Sequence, residues 1–426
     1  MTRSSRRQFL KAGAAAVGTA ALGCNTTNAP PGRKLASLWF SYGGRNRRVL
    51  EQLVHRFNHS QSDHWIHAVY QGDYFEALAK LRTAIAAKAG PAFSHVVGEV
   101  ITYLAGADVL EKLDDYPGAR GLDVIPALGQ DGSWIGGDQR PLVALPFNRS
   151  TPIAYLNGDL FDKAGLAPPT TWQELREAAR ALSVRSGGRT TRYGFGCPID
   201  WWFWTALVGQ AGGQVVEPDG RVSLGGPAGV EALELWQHMV SQDHSMKPPP
   251  GRDYNAWEAT NQDYLAGRTA MIWTSTAFLK YLEDNAPFPV VAAPLPARQR
   301  HAVPTGGTFW VIVKSAPAEQ KQTAWAFLRW VLEPAQVITW ATHTGYMPVT
   351  HAAVKRLDAE GYYQRHPNDH VAYEQLRVAM PWPWSAELFR IQREIVQPRL
   401  ESAVLSHKNA TELLAQARAQ AKRSLQ

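Results

Sequence analysis

Only two cysteines occur in 426 residues, Cys24 and Cys197, so no disulfide framework organises this chain. Catalytic motifs are equally scarce. No G-x-x-x-x-G-K-[S/T] loop and no complete G-x-G-x-x-G is present to cradle a phosphate; Tyr193-Gly-Phe-Gly196 is half of one. No G-x-S-x-G elbow exposes a nucleophilic serine, and no H-E-x-x-H pair stands ready for zinc. His55 and His59 have the i, i+4 spacing that can hold a metal, but no Cys or carboxylate-rich loop adjoins them. A solvated helix edge is the expectation there, with no metal and no cofactor.

Charge of one sign is also missing. The chain carries 44 Lys and Arg against 37 Asp and Glu. Four of the basic residues, Arg3, Arg6, Arg7 and Lys11, fall in an acid-free stretch of 23 residues at the N-terminus. Beyond it the excess is 40 against 37, a residual +3. That is no nucleic-acid footprint, and nucleic acid is not an expected partner. After the N-terminus no apolar run approaches the length that crosses a bilayer, so the mature chain is expected to be soluble or tethered only by lipid.

What is present begins with an export signal. Ser5-Arg6-Arg7-Gln8-Phe9-Leu10-Lys11 precedes an apolar, Ala/Gly-rich stretch over 12–23 and then Cys24. A charged start, a short apolar run and small residues before a cut are the parts of a secretory signal. The Arg-Arg-Gln-Phe-Leu-Lys run resembles the twin-arginine signal, which implies export of a folded protein. Ala21-Leu22-Gly23-Cys24 resembles a lipobox with its Leu one place late, which would make Cys24 an acylated first residue. Cys197 then stands alone, and no bridge is expected.

The body of the chain alternates strand-like and helix-like patterns. Residues 35–42 read as a buried strand, followed by a helix with Leu50, Leu53, Val54 and Phe57 on one face. Residues 65–70 read as a second strand, and Phe75, Leu78, Leu81 and Ile85 mark a second helix face. This pace predicts an α/β fold with a mainly parallel sheet. The pattern breaks at 145–152 and resumes with a strand over 153–157. Thr171 then reads as an N-cap with Glu174 as an early acid. A strand over 269–274 leads into a Pro-rich passage at 287–304. Gly306-Gly307, a strand over 309–313 and a helix over 323–332 follow. Two α/β halves joined by more than one Pro/Gly-marked crossing predict two lobes on hinge strands.

Three segments carry a family resemblance. Asn157-Gly-Asp-Leu-Phe-Asp-Lys-Ala-Gly-Leu-Ala-Pro-Pro-Thr-Thr-Trp-Gln-Glu-Leu175, Tyr264-Leu-Ala-Gly-Arg-Thr-Ala-Met271 and Ala324-Trp-Ala-Phe-Leu-Arg-Trp330 resemble the extracellular solute-binding proteins of ABC importers, the maltose-binding-like class. Within that class, Tyr70-Gln-Gly-Asp-Tyr74, Pro146-Phe-Asn-Arg-Ser-Thr-Pro152, Thr344-Gly-Tyr-Met-Pro-Val-Thr350 and Gly361-Tyr-Tyr are most similar to the members that bind sn-glycerol-3-phosphate or its diesters. The resemblance implies a two-lobe periplasmic-binding-protein fold of class II. Its organisation would be a signal at 1–23, a linker at 24–33, lobe 1 at 34–147 plus 298–345, and lobe 2 at 148–297 plus 346–426. It also implies a monomer that is not an enzyme and that hands its solute to a membrane permease.

The cleft residues that the resemblance implies are Tyr74, Glu99, Ser150, Trp201 or Trp202, Ser275, Gly307 and Tyr346. The residues themselves support these in part. Glu99, between Gly98 and an apolar run, needs partners and serves either solute hydroxyls or an ion pair. The Trp201-Trp-Phe-Trp204 cluster, in a stretch that reads as neither clean helix nor strand, can stack on an aliphatic or choline-like group or simply plug a lobe. Gly306-Gly307 can offer bare backbone N–H groups or be an ordinary turn. Ser150 and Ser275 serve equally as capping residues. Sixteen Trp in one chain also suit a carbohydrate face.

One departure matters. Where the family holds an Arg for the phosphate, this chain has Ser385 in Pro381-Trp-Pro-Trp-Ser385. A guanidinium is the natural phosphate partner. Arg390 or Arg393 could stand in, or the solute is a neutral sugar or polyol. A rival of another class, an exported glycan-acting enzyme, needs two facing carboxylates, and only Glu99 can be nominated.

Overall fold

The computed structural model describes residues 29–132, 140–217, 221–380 and 387–424. Cys24, the whole export signal and Ser385 lie outside the described residues. Two sheets of different strand order organise the chain.

The first sheet contains β1 (Lys34–Phe40), β2 (His64–Tyr70), β3 (Phe93–Val97) and β4 (Leu145–Ser150). The second contains β5 (Pro152–Asn157), β6 (Val184–Ser186), β7 (Arg189–Gly196), β8 (Met246–Lys247), β9 (Thr269–Ser275) and β10 (Val290–Ala293). After the short β11 (Val303–Pro304) the chain re-enters the first sheet as β12 (Gly306–Ile312). The orders are β2-β1-β3-β12-β4 and β10-β5-β9-β7-β6, with β8 alongside β7. β1 is parallel to β2 and β3, while β12 runs antiparallel to both β3 and β4. This is the α/β two-lobe architecture.

Local sequence explains the elements. In the helix Gly44–Ser60, Leu50, Leu53, Val54 and Phe57 are all buried, as their spacing requires. Thr171 and Glu174 form a reciprocal capping box on the helix Trp172–Leu182, with the Glu174 N–H donating to the Thr171 hydroxyl at 3.1 Å. Residues 201–204 are helical, as the start of Trp201–Gln210, where the pattern suggested neither helix nor strand. Asp200 caps that helix by accepting the Trp202 N–H at 2.8 Å. Its remaining residues are buried nearly all round, so no amphipathic period exists to read.

Each sheet organises its own core. Leu38, Phe40, Leu53, Trp310, Phe327 and Trp340 belong to the first. Phe195, Trp204, Trp236 and Trp273 belong to the second, with Leu400 and Leu414 of the C-terminal helices. Tyr346, Met347, Val349 and Ala353 pack in the first core, so first-lobe packing extends past the boundary expected at 345.

The lobes are joined where the chain passes from Ser150 in β4 to Pro152 in β5, and again between β10 and β12. Gln375 staples these two crossings. Its amide donates to the Thr151 hydroxyl at 3.0 Å and to the Pro152 carbonyl at 2.6 Å, and its oxygen accepts the Leu295 N–H at 2.9 Å. A third strand of contact runs from Met347, whose N–H donates to the Arg149 carbonyl at 3.0 Å. Among the described residues, no helix is long and apolar enough to cross a membrane.

Candidate functional site

The crossings concentrate polar side chains that a hydrophobic core would exclude. Asp73 caps the helix Tyr74–Ala86 by accepting the Phe75 and Glu76 N–H groups at 2.8 Å each. That cap fixes Tyr74 on the first turn. Its hydroxyl lies 3.2 Å from the Tyr346 hydroxyl and accepts the Asn148 amide at 3.0 Å. Asn148 in turn accepts the Thr308 N–H at 2.8 Å and also its hydroxyl.

His95 completes this network from beneath. Its Nε2 accepts the Ser41 N–H at 3.0 Å, so the ring proton resides on Nδ1, which lies 3.0 Å from the Thr308 hydroxyl. Burial lowers the His95 pKa to about 3, and the imidazole is neutral. Burial likewise raises Tyr42 and Tyr74 well above the ordinary phenol value. These groups are therefore uncharged and offer hydrogen bonds only. Tyr42 stacks on His95 with ring centroids 4.5 Å apart, and Tyr346 stacks on Trp340 at 5.7 Å.

A second group hangs on the β4–β12 register. Gly306 faces Ser150, and Gly307 faces Arg149. Gly307 has φ +89°, and a Cβ there would sit 1.8 Å from the Asn148 carbonyl oxygen, so no other residue fits. Arg149 is wholly buried. Its Nη2 donates to the Thr305 hydroxyl at 2.9 Å, and its guanidinium carbon lies 4.2 Å from the Phe309 ring centroid. Its Nη1 lies 3.5 Å from where a Cβ on Gly98 would stand, which places this cation beside the turn that bears the half-buried Glu99.

The second lobe meets this frame through Trp202. Its indole N–H donates to the Thr305 carbonyl at 3.1 Å, and its ring stacks on Trp257 with centroids 5.2 Å apart. The Trp257 N–H points to Asp200, 3.4 Å away. Trp201 is half-buried against the second core, and its backbone N–H donates to Gln397 at 3.1 Å.

The structure thus brings Tyr74 and Tyr346 into contact. Ser150 and Gly307 lie in the paired crossing strands that also carry Asn148, the Tyr74 partner, and Trp202 reaches the same crossing from the other lobe. Two expected residues have other attachments. The Ser275 hydroxyl accepts the Ala277 N–H at 3.2 Å and caps a turn. Arg390 pairs with Glu387 at 2.8 Å and donates to the Ser424 carbonyl at 3.4 Å. It is tied to the C-terminal helix. Sequence reasoning missed Asn148, Thr305, His95 and Trp257. Asn148 stood inside a quoted segment, but nothing local distinguishes it from a turn residue. Trp257 occurs alone in its helix and carries no signal.

Among the described residues no group of three His, Cys, Asp or Glu is placed to hold a metal. His55 and His59 stack on the exposed helix face at 4.0 Å, with the His59 Nδ1–H donating to the His55 carbonyl.

The chain is similar to known proteins over most of its length. It is 25% identical over 423 residues to the sn-glycerol-3-phosphate-binding periplasmic protein UgpB of Salmonella typhimurium, covering 92% of this chain and 94% of that one. The structure of UgpB from Mycobacterium tuberculosis in complex with glycerophosphocholine superimposes with a TM-score of 0.80 at 22% identity, covering 94% of this chain and 100% of that one. Maltose-bound MalE3 of T. maritima superimposes equally well, with a TM-score of 0.80 at 20% identity over 91% of this chain and 99% of that one. The sequence profile of the bacterial extracellular solute-binding proteins matches residues 52–368. The chain belongs to this family, whose members are the solute-capturing, non-catalytic components of ABC importers.

Proposed function

We propose that this protein captures a glycerophosphodiester, of the kind represented by glycerophosphocholine, between its lobes and delivers it to an ABC permease. The observation that carries this reading is the indole pair Trp202–Trp257 with Asp200 at its edge. An electron-rich aromatic face beside a carboxylate suits a quaternary ammonium group. On the other side of the crossing, the Tyr74, Tyr346 and Asn148 cluster offers neutral donors and acceptors to glycerol hydroxyls. The similarity to UgpB of Salmonella typhimurium supports the same class.

Isothermal titration with glycerophosphocholine, glycerol-3-phosphate, maltose and ribitol tests it. Glycerophosphocholine is expected to bind most tightly. Heat from maltose or ribitol alone overturns the reading. A neutral polyol or sugar is the second reading. It is favoured by the attachment of Arg390 to Glu387 and Ser424, which leaves that guanidinium engaged within the protein.

The lobes close around the solute, and the closed monomer docks on the permease. Export follows the twin-arginine route, with Cys24 acylated to hold the protein at the membrane. Replacing Arg6 and Arg7 by Lys is expected to stop export, and Cys24→Ser to release the protein from the membrane fraction.

A further inference from the structure

The helical segment 388–395 in the C-terminal region divides its side chains between the two lobes. Leu388, Ile391 and Ile395 are buried in the second core, with the sheet β5–β10. Phe389, between them, packs instead against the first-lobe cluster of Leu78, Leu81, Val96 and Phe309. Its ring lies 6.1 Å from that of Phe75, at an interplanar angle of 32°. The Arg393 guanidinium, one turn further on, sits over the Phe75 ring with its carbon 3.6 Å from the centroid and 5.8 Å from that of Phe389. Phe75 directly follows Tyr74 on the capped first turn of its helix. Any displacement of Phe75 relative to the second lobe therefore also displaces Tyr74.

We propose that Arg393 and Phe389 clamp Phe75 in the closed state, making this aromatic–cation contact a determinant of how long the protein retains its solute. The proposal rests on the reading that the lobes close on a solute. A half-buried cation over an aromatic face is favourable and loses little to screening. Its parts lie on different lobes, so an opening that separates Phe75 from residues 389–393 breaks it. Stabilisation confined to the closed state slows release without altering the encounter step. The Arg45–Asp284 ion pair also joins the lobes, from a helix of the first to a helix of the second. Its side chains are 37% and 58% exposed, so solvent and salt weaken it, and it serves as the comparison.

Stopped-flow tryptophan fluorescence with glycerophosphocholine as probe reads both rate constants. Phe75→Ala and Arg393→Gln are each expected to raise the dissociation rate roughly tenfold, with association changed by no more than about twofold. The double variant is expected to raise the rate by less than the product of the single effects, because both single changes remove the Arg393–Phe75 contact. Arg45→Ala is expected to change dissociation by less than about twofold. Urea unfolding of each solute-free variant separates the clamp from a folding defect, since the midpoint is expected to stay at the wild-type value. Unchanged dissociation rates, or additive effects in the double variant, overturn the proposal. A second measurement needs no solute. In a Cys24→Ser background, Phe75→Cys with Phe389→Cys is treated with a short bis-maleimide; Cys197 is fully buried and does not compete. Cross-linking that compacts the protein in solution scattering is expected, and its absence overturns the clamp. If the wild type ignores glycerophosphocholine, the solute assignment fails and the cross-link alone decides the clamp.

Discussion

The hydroxyls of Tyr74 and Tyr346 lie 3.2 Å apart although 272 residues separate them in the chain. One belongs to the first turn of a capped helix, the other to the segment after the helix Pro334–Thr344. Asn148, on the strand that leaves for the second lobe, donates to the same phenol. The pair therefore couples the first turn of that helix to a crossing.

Replacing Tyr74 by Phe removes the acceptor of the Asn148 amide and the partner of Tyr346. Affinity for glycerophosphocholine is expected to fall by roughly tenfold, in line with a lost hydrogen bond of about 1–1.5 kcal/mol. Titration calorimetry checks this.

Gly307→Ala forces a side chain into a left-handed backbone position and against the Asn148 carbonyl. A loss of about 2–4 kcal/mol in unfolding free energy is expected, measured by urea denaturation. Ser150→Ala, on the facing strand, is expected to cost less than half of that.

Acid sensitivity follows from His95. Its folded pKa is about 3, against an ordinary value of 6.5. Between those values the unfolded chain binds a proton that the fold excludes. The His95 contribution is therefore complete above pH 6.5 and declines as the pH falls toward 3, with a slope of up to ~1.4 kcal/mol per pH unit. In His95→Gln the slope between pH 6.5 and 4.5 is expected to be lower by about one proton, which urea titrations at stepped pH measure.

Arg390→Ala removes a partly exposed ion pair to Glu387 and a contact to Ser424. Stability is expected to change by less than about 1 kcal/mol and solute affinity not at all. A tenfold loss of affinity for glycerol-3-phosphate would instead place that guanidinium on the phosphate.

Much of the architecture was legible in order along the chain. Helix faces such as Leu50, Leu53, Val54 and Phe57, and the Thr171–Glu174 cap, depend on neighbours within one or two turns. Local periodicity encodes such neighbours directly. The Pro-marked crossing at 145–152 was likewise visible, because proline fixes its own φ wherever it stands. The helix from Trp201 was not, since a segment buried on all sides has no polar face to set its period.

The amino-acid order by itself determined two α/β halves and an aromatic-rich, weakly charged chain without catalytic motifs. Tertiary structure alone decided which side chains share the cleft region. Arg149 looks like a surface residue in its segment, yet it is wholly buried over Phe309 and bonded to Thr305. Trp202 meets Thr305 from the other lobe, and Gln375 ties two crossings that are distant in the chain. Such contacts form only after both sheets are assembled, and no residue's near neighbours record them.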